Sequence, residues 1–314
     1  MRPQLHILIV GFGDIGTRVA RLLAARAADF HITALIRRPE HAETARALGV
    51  VPVLGDLAQP ETLRRLAGNY ACVFHFAPPP AEGALDIHTR HLLAALSRHA
   101  ARARMLSQAP IRRLVYISTT GVYGDCGGEW IDETRPPRPH NARATRRADA
   151  ETTLRNWGRR TATQVSILRA PGIYAADRLP IERLQRGTPA LLPHDDVFTN
   201  HIHAEDLARA ALAAMFLGKP GRVINAVDDS SLLMGEYFDA VADRFGLPRA
   251  PRISREDAAG RISPALLSFM SESRRIRNDR VKRELRLNLR YPTVADFLAT
   301  LPPDQGREKF APDN

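Results

Sequence analysis

The run Leu5-His6-Ile7-Leu8-Ile9-Val10 passes directly into Gly11-Phe12-Gly13-Asp14-Ile15-Gly16, and then into a segment with Ile15, Val19, Leu22 and Leu23 on one helical face. Three glycines at this spacing are weak evidence alone. Between an apolar strand and the start of a helix they constrain the chain strongly, because each glycine meets a separate steric demand. Gly11 permits the tight turn, Gly13 lets backbone approach a pyrophosphate, and Gly16 lets the helix pack closely on its strand. The opening turn of that helix offers unpaired N–H groups and the positive end of its dipole to phosphates. Residues 11–16, Phe12, Asp14 and Ile15 included, are therefore read as a dinucleotide-binding turn.

The pattern that follows supports this context. Apolar runs at 31–36, 50–54, 72–76, 113–117 and 165–169 alternate with helical segments near 40–48, from Pro60 onward, at 85–106 and at 141–158. Such alternation predicts an α/β fold, a doubly wound parallel Rossmann sheet with helices on both faces. After Pro171 the regularity fails. Residues 172–203 are loop-rich with a short helix near 180–187; a helix at 204–217 and a strand at 222–227 then resume the pattern. Helical segments are expected near 233–245, 254–270 and 276–285. The predicted organisation is a Rossmann domain over 1–171, to which 204–227 returns. A small mixed substrate lobe is assembled from 172–203 and 228–314.

Composition narrows the classes further. The formal charge is +11, yet only three of the 45 basic residues are lysines and the arginines are spread along the whole chain. A nucleic-acid binder concentrates such charge on one element, so this reading favours an arginine-rich solvated surface and a field that attracts anionic ligands. No apolar run approaches the roughly 20 residues that cross a bilayer. The N-terminal apolar run is too short for a signal peptide and leads into glycines, not a cleavage site, which points to the cytoplasm. Cys72 and Cys126 have no metal-ligand spacing, and no metal site is expected.

Cofactor choice is read at the end of the second strand. NAD-binding domains place an acid on the adenosine ribose there, whereas this chain reads Leu35-Ile36-Arg37-Arg38. A guanidinium binds a 2′-phosphate bidentately, so Arg37 and Arg38 favour NADP(H) over NAD. Asp56, followed by Leu57, is placed either to accept from the adenine amino group or to cap the next helix. Phe76, Ala77 and Pro78 end the fourth strand, where the chain skirts the cofactor. His75 is read as a packed core histidine.

Together with Ser118-Thr119-Thr120-Gly121-Val122-Tyr123-Gly124, these landmarks resemble the extended short-chain dehydrogenase/reductase family, of NAD-dependent epimerase/dehydratase type. Leu168-Arg169-Ala170-Pro171-Gly172-Ile173-Tyr174, Asn200-His201-Ile202-His203-Ala204-Glu205-Asp206 and the stretch from Arg275 to Leu285 extend the likeness over essentially the whole chain. The resemblance implies a Ser or Thr that binds the substrate oxygen, which matches Thr119. It also implies a Tyr that transfers the proton and a Lys four residues later. Those two positions fall on Arg143 and Arg147. No lysine precedes Lys219 and no tyrosine lies between Tyr123 and Tyr174, so the pair is absent from this part of the chain. Arginine, with a pKa above about 12, does not replace a general acid or base.

Ser118 is expected beside the cofactor, and Thr120, Pro171, Tyr174 and His201 in a substrate cleft. Thr119, Tyr123, Arg143 and Arg147 are the candidate catalytic residues, Arg143 as a fixed cation that stabilises oxyanion charge and Arg147 as a positive charge presented to the cofactor ribose or to a substrate anion. His201 and His203 are expected to face opposite sides, with the run docking the lobes. Two function classes remain open. One is an NADP-dependent oxidoreductase or nucleotide-sugar epimerase/dehydratase-like enzyme acting on a small anionic substrate. The other is a non-catalytic NADP(H)-binding regulatory or sensor protein. Helices near 85–106 and 141–158 are candidate surfaces for a homodimer.

Overall fold

The computed structural model describes residues 4–66, 70–105, 111–262 and 264–302. Strand β1 (Leu5–Val10) is buried on both faces: Ile7 and Ile9 enter one apolar core, and Leu8 and Val10 enter another. Side chains alternate across an extended backbone, which is why Ile7, Leu8, Ile9 and Val10 are all apolar. Six more strands lie beside it: β2 (Phe30–Ile36), β3 (Val51–Leu54), β4 (Cys72–His75), β5 (Arg113–Thr119), β6 (Gln164–Ala170) and β7 (Arg222–Asn225). All are parallel, in the order β7-β6-β5-β4-β1-β2-β3. The order reverses between β1 and β4, so the carboxyl ends of the strands open a crevice there.

Helices α1 (Asp14–Ala24), α2 (His41–Ala47) and α5 (Ala204–Leu217) cover one face, and α3 (Ile87–Met105) and α4 (Ala142–Thr161) the other. Ala208, Ala210, Ala211 and Ala214 of α5 are buried; such small side chains let the helix approach α1 closely. α3 and α4 pack on each other through a bidentate Arg90–Asp149 pair and a hydrogen bond from Trp157 Nε1 to Ser97 Oγ at 2.9 Å. α4 is tied to the sheet by Arg169 on β6, which donates to both oxygens of Glu151 at 2.9 and 2.7 Å. Both side chains are almost fully buried. The geometry satisfies each charge, whereas either one alone would be a costly buried ion.

A separate apolar core joins Tyr174, Ile181, Leu184 and Leu191 to Tyr237, Phe238, Val241, Phe297 and Leu298. Two-residue and three-residue strand pairs stitch these distant stretches together. Gly172–Tyr174 runs parallel to His201–His203, and Ala190–Leu191 to Arg252–Ile253. Asp206, fully buried at the start of α5, accepts from the backbone N–H groups of Arg290 and Tyr291 at 2.8 and 2.9 Å. It thereby docks the C-terminal stretch on the Rossmann core.

Two expectations need correction, and one helix is additional. The helix expected from Pro60 is a single 3₁₀ turn, Thr62–Arg65. Thr62 Oγ1 is engaged by the Asp56 N–H and the Gln59 carbonyl, local bonds that compete with a regular helix. The helix expected over 254–270 is broken into Arg255–Ala258 and Pro264–Phe269, because Gly260 takes a φ of +89° between them. A helix at Val294–Thr300 was not anticipated, although Thr293 and Asp296 form a reciprocal capping box at its start. The tail from 303 lies outside the described residues.

Candidate functional site

The glycine turn divides into two kinds of position. Gly11 has a φ of +93°, and a Cβ there would lie 2.5 Å from the backbone N of Ala77. The close approach arises because both Phe76 N–H and Ala77 N–H donate back to the Val10 carbonyl. A Cβ on Gly16 would lie 2.5 Å from the Gly11 carbonyl oxygen and 3.3 Å from Ile9 Cγ2. The fold itself therefore demands both glycines. Gly13 differs: a Cβ there would meet nothing within 4 Å. Its φ of −93° is open to any residue, and it caps α1 without a side-chain hydrogen bond. The missing side chain at Gly13 leaves open space at the positive end of a helix, a cradle that fits a pyrophosphate.

Phe12 and Ile15 are buried parts of the core beneath this turn. Asp14, the first residue of α1, accepts from Arg18 Nε at 2.6 Å and from Arg178 Nη1 at 2.9 Å. Arg37 and Arg38 leave the end of β2 exposed, and Arg38 lies 3.6 Å from Glu40. Asp56 accepts from the Ala58 N–H at 2.9 Å, so it caps its own turn. Leu57 is buried with its carbonyl on His91 Nδ1 at 2.7 Å. Phe76, Ala77 and the exposed Pro78 run past the glycine turn at the end of β4. His75 is fully buried against Thr89 at 2.8 Å, and burial pushes it down to about 3, which fits a packed histidine.

From the crevice a cleft of about 640 Å³ extends between the end of the sheet and the second core. Ser118, Thr119, Thr120, Pro171, Tyr174 and His201 line it, as do Arg143 and Arg147. The charged side chains of its lining are Arg143, Arg147, Arg178, Arg274 and one carboxylate, Glu272. Glu272 is already engaged by Arg274 at 2.8 Å and by Asn141 Nδ2 at 3.1 Å. Burial lowers the Arg143 guanidinium from its ordinary value, with Glu272 opposing. Arg147 donates to the Ile117 carbonyl at 2.7 Å and the Tyr116 hydroxyl at 3.1 Å, so it is braced against the floor of the cleft.

Thr119 Oγ1 accepts from the Gly121 N–H at 3.1 Å and caps the short 3₁₀ turn that follows β5. The Ser118 hydroxyl, buried beside it, has no hydrogen-bond partner among the described residues. Tyr123 is placed differently from its expected catalytic position. It is 1% exposed, does not line the cleft, donates to Asn225 Oδ1 at 2.7 Å, and carries the Arg169 guanidinium 4.6 Å from its ring centre. The 3₁₀ turn rotates it away from Thr119 and into the core.

His201 and His203 do not face opposite sides. Residues two apart on an extended strand point the same way, and both rings contact Tyr174. His201 stacks on Tyr237 with ring centres 4.2 Å apart, and burial pushes it down to about 3. His203 Nδ1 caps α5 through the Glu205 N–H, and burial pushes it down to about 4. Burial raises the Tyr174 hydroxyl, which faces Asp228; burial likewise pushes Asp228 up to about 7. Cleft residues not foreseen from sequence include Asn141, Arg178, Tyr237, Glu272 and Arg274. Asn141 carried a local signal, as the N-cap of α4, but the others reach the cleft only through long-range packing.

A phosphate-shaped glycine turn at the crevice of a parallel sheet, with a second core closing a cleft above it, defines a dinucleotide-binding α/β protein. The family model described as NAD(P)H-binding matches residues 11–216, and the chain belongs to that family. A functionally unknown conserved protein from Silicibacter pomeroyi is 30% identical, covers 94% of this chain and 97% of its own, and superposes with a TM-score of 0.76. The ketoreductase of a farnesylated dihydroquinoline oxide from Stigmatella aurantiaca is 27% identical over 249 residues, 76% of this chain and 72% of that enzyme. Human dTDP-D-glucose 4,6-dehydratase is 28% identical over 126 residues, which span 38% of this chain and only 36% of that enzyme. Further solved neighbours, at 16% to 22% identity, are sugar-nucleotide epimerases and dehydratases or are solved with UDP-sugars, and three carry NAD; they share the fold. The fold is thus that of the epimerase/dehydratase branch of the short-chain dehydrogenases/reductases.

Proposed function

We propose that the protein is an NADP(H)-dependent oxidoreductase or epimerase/dehydratase-like enzyme that acts on a small anionic substrate. The observation that carries this reading is the cleft itself, whose lining holds four arginines and one carboxylate, Glu272, which is engaged by Arg274. In a cleft between protein walls, such cations hold an anion and stabilise oxyanion charge more strongly than they do in open solvent. Bound at the glycine turn, the nicotinamide coenzyme would supply hydride chemistry. Gly13 and the start of α1 would hold its pyrophosphate, and Arg37 and Arg38 its 2′-phosphate. Thr119, Ser118 and Thr120 supply hydroxyls that orient a substrate oxygen, and Arg143 and Arg147 supply the fixed positive charge beside it.

A second reading, a protein that holds NADP(H) as a signal without turnover, is favoured by a specific observation. Thr119 is engaged in a cap, Arg147 in a brace and Tyr123 in the core, so three of the candidate catalytic side chains are held by the fold itself.

Fluorescence titration with NADPH and NADH tests the cofactor. NADPH is expected to bind more tightly, and Arg37→Asp is expected to erase that preference while leaving NADH affinity within about twofold; equal wild-type affinities defeat the NADP assignment. Single-turnover oxidation of bound NADPH with a panel of keto acids and sugar-nucleotide ketones then separates the two readings. Consumption by any anionic carbonyl supports the enzyme, and a bound but inert coenzyme supports the signal.

A further inference from the structure

Arg178 and Asp14 are 164 positions apart in sequence, yet they meet at 2.9 Å over the opening of α1. Asp14 is the first residue of α1. A carboxylate at the first helical position is stabilised by the dipole, but it also puts negative charge beside the cradle at Gly13, where a coenzyme's pyrophosphate must sit. Two arginines hold its charge. Arg18, one turn along the same helix, takes Oδ1, and Arg178 takes Oδ2. Arg18 is local, on the same helix as Asp14. Arg178 comes from the far wall of the cleft, on the 3₁₀ turn Ala176–Arg178 just after the strand Gly172–Tyr174, and it also lines the cleft. Its side chain is 39% exposed, so it is free to turn without disturbing a core.

We propose that Arg178 is a pyrophosphate-binding residue for the coenzyme, held on Asp14 until the coenzyme arrives. A guanidinium prefers a doubly charged pyrophosphate to one carboxylate already shared with Arg18, because phosphate oxygens offer the same bidentate geometry with more charge. On binding, Arg178 moves from Asp14 Oδ2 to the pyrophosphate, and the wall of the cleft is drawn toward the glycine turn. Asp14 thus competes with the coenzyme for Arg178, so it weakens binding. This inference rests on the coenzyme occupying the glycine turn.

The test is a set of equilibrium titrations on the full chain, with NADPH, NADH and adenosine 2′-monophosphate as probes, the last of which carries neither phosphate of the pyrophosphate. Arg178→Gln is expected to weaken NADPH and NADH about tenfold and to leave adenosine 2′-monophosphate within twofold. Arg178→Lys should recover part of the loss. Asp14→Asn is expected to tighten NADPH severalfold, in the opposite direction. If Arg178→Gln leaves NADPH affinity unchanged, or if Asp14→Asn weakens it as Arg178→Gln does, the ion pair is only a structural tie between the two walls and the proposal is overturned. Failure of the wild-type protein to bind any of the three probes would instead refute occupancy of the turn. Unchanged thermal midpoints identify the variants that remain folded.

Discussion

Gly13→Ala separates what the fold needs from what a ligand needs. The alanine methyl would point into a space with no atom inside 4 Å, and the backbone at φ −93° is accessible to an L-residue. Replacing glycine where the native conformation suits alanine restricts the unfolded chain and stabilises by about 0.4–1 kcal/mol. For a chain of this size that is a rise in Tm of about 0.6–1.5 °C. The same methyl would intrude where the pyrophosphate backbone contact belongs. Overfilling a close contact costs about 1–3 kcal/mol, which corresponds to a rise in Kd of about 5- to 150-fold. The variant should therefore be at least as stable as wild type and markedly poorer at binding NADPH. Gly16→Ala is the contrasting control, because its methyl would sit 2.5 Å from the Gly11 carbonyl and must shift helix or turn. That variant should lose stability as well as binding. The measurements are a thermal melt without ligand and a fluorescence titration with NADPH. If Gly13→Ala binds NADPH with wild-type affinity, or melts as early as Gly16→Ala, the space at Gly13 is not the phosphate cradle.

Two further predictions rest on the buried groups. His75, His201 and His203 are held neutral by burial, down to about 3, 3 and 4, so the unfolded chain takes up protons below its ordinary histidine value near 6.5 that the folded chain refuses. Their contribution is complete above pH 6.5 and is lost as the pH falls toward 4. Asp228, pushed up to about 7, has the opposite sign and loses its contribution as the pH rises through 7. With three histidines set against Asp228, urea unfolding should show stability falling by a few kcal/mol as the pH drops from 6 to 4.5; a flat profile there would contradict the burial of the histidines. Tyr123→Phe should cost about 1 kcal/mol of stability through the lost bond to Asn225, and should leave NADPH affinity and any NADPH-dependent turnover unchanged. Abolished turnover in a folded Tyr123→Phe protein would return that phenol to the chemistry.

What could be read along the chain were features with a local cause. Residues 7–10 are apolar without a break because that part of β1 is buried on both faces, and the glycines at 11 and 16 are forced by backbone only a few residues away or hydrogen-bonded to the same strand. The seven sheet strands and five of their covering helices follow from periodicity, which senses burial directly. Where side chains compete with the backbone, as Thr62 does, or a glycine turns to positive φ, as Gly260 does, the same periodicity overstates the helix. His201 and His203 show a different failure: the strand was recognised, but its period of two puts both rings against Tyr174 on one side.

The cleft was decided by tertiary structure. Arg143 and Arg147 are visible as a departure from a motif on one helix, yet the charge they face is set by Arg274 and Glu272, more than a hundred residues later. Tyr123 sits in the right stretch of sequence for chemistry, and a single 3₁₀ turn after β5 takes it into the core. Arg178 carries no local sign of its meeting with Asp14, since only the docking of two distant stretches brings them within 2.9 Å. Periodicity and backbone sterics act over a few residues and are written in order along the chain. Charge complementarity acts through space, and it exists only once the chain has folded.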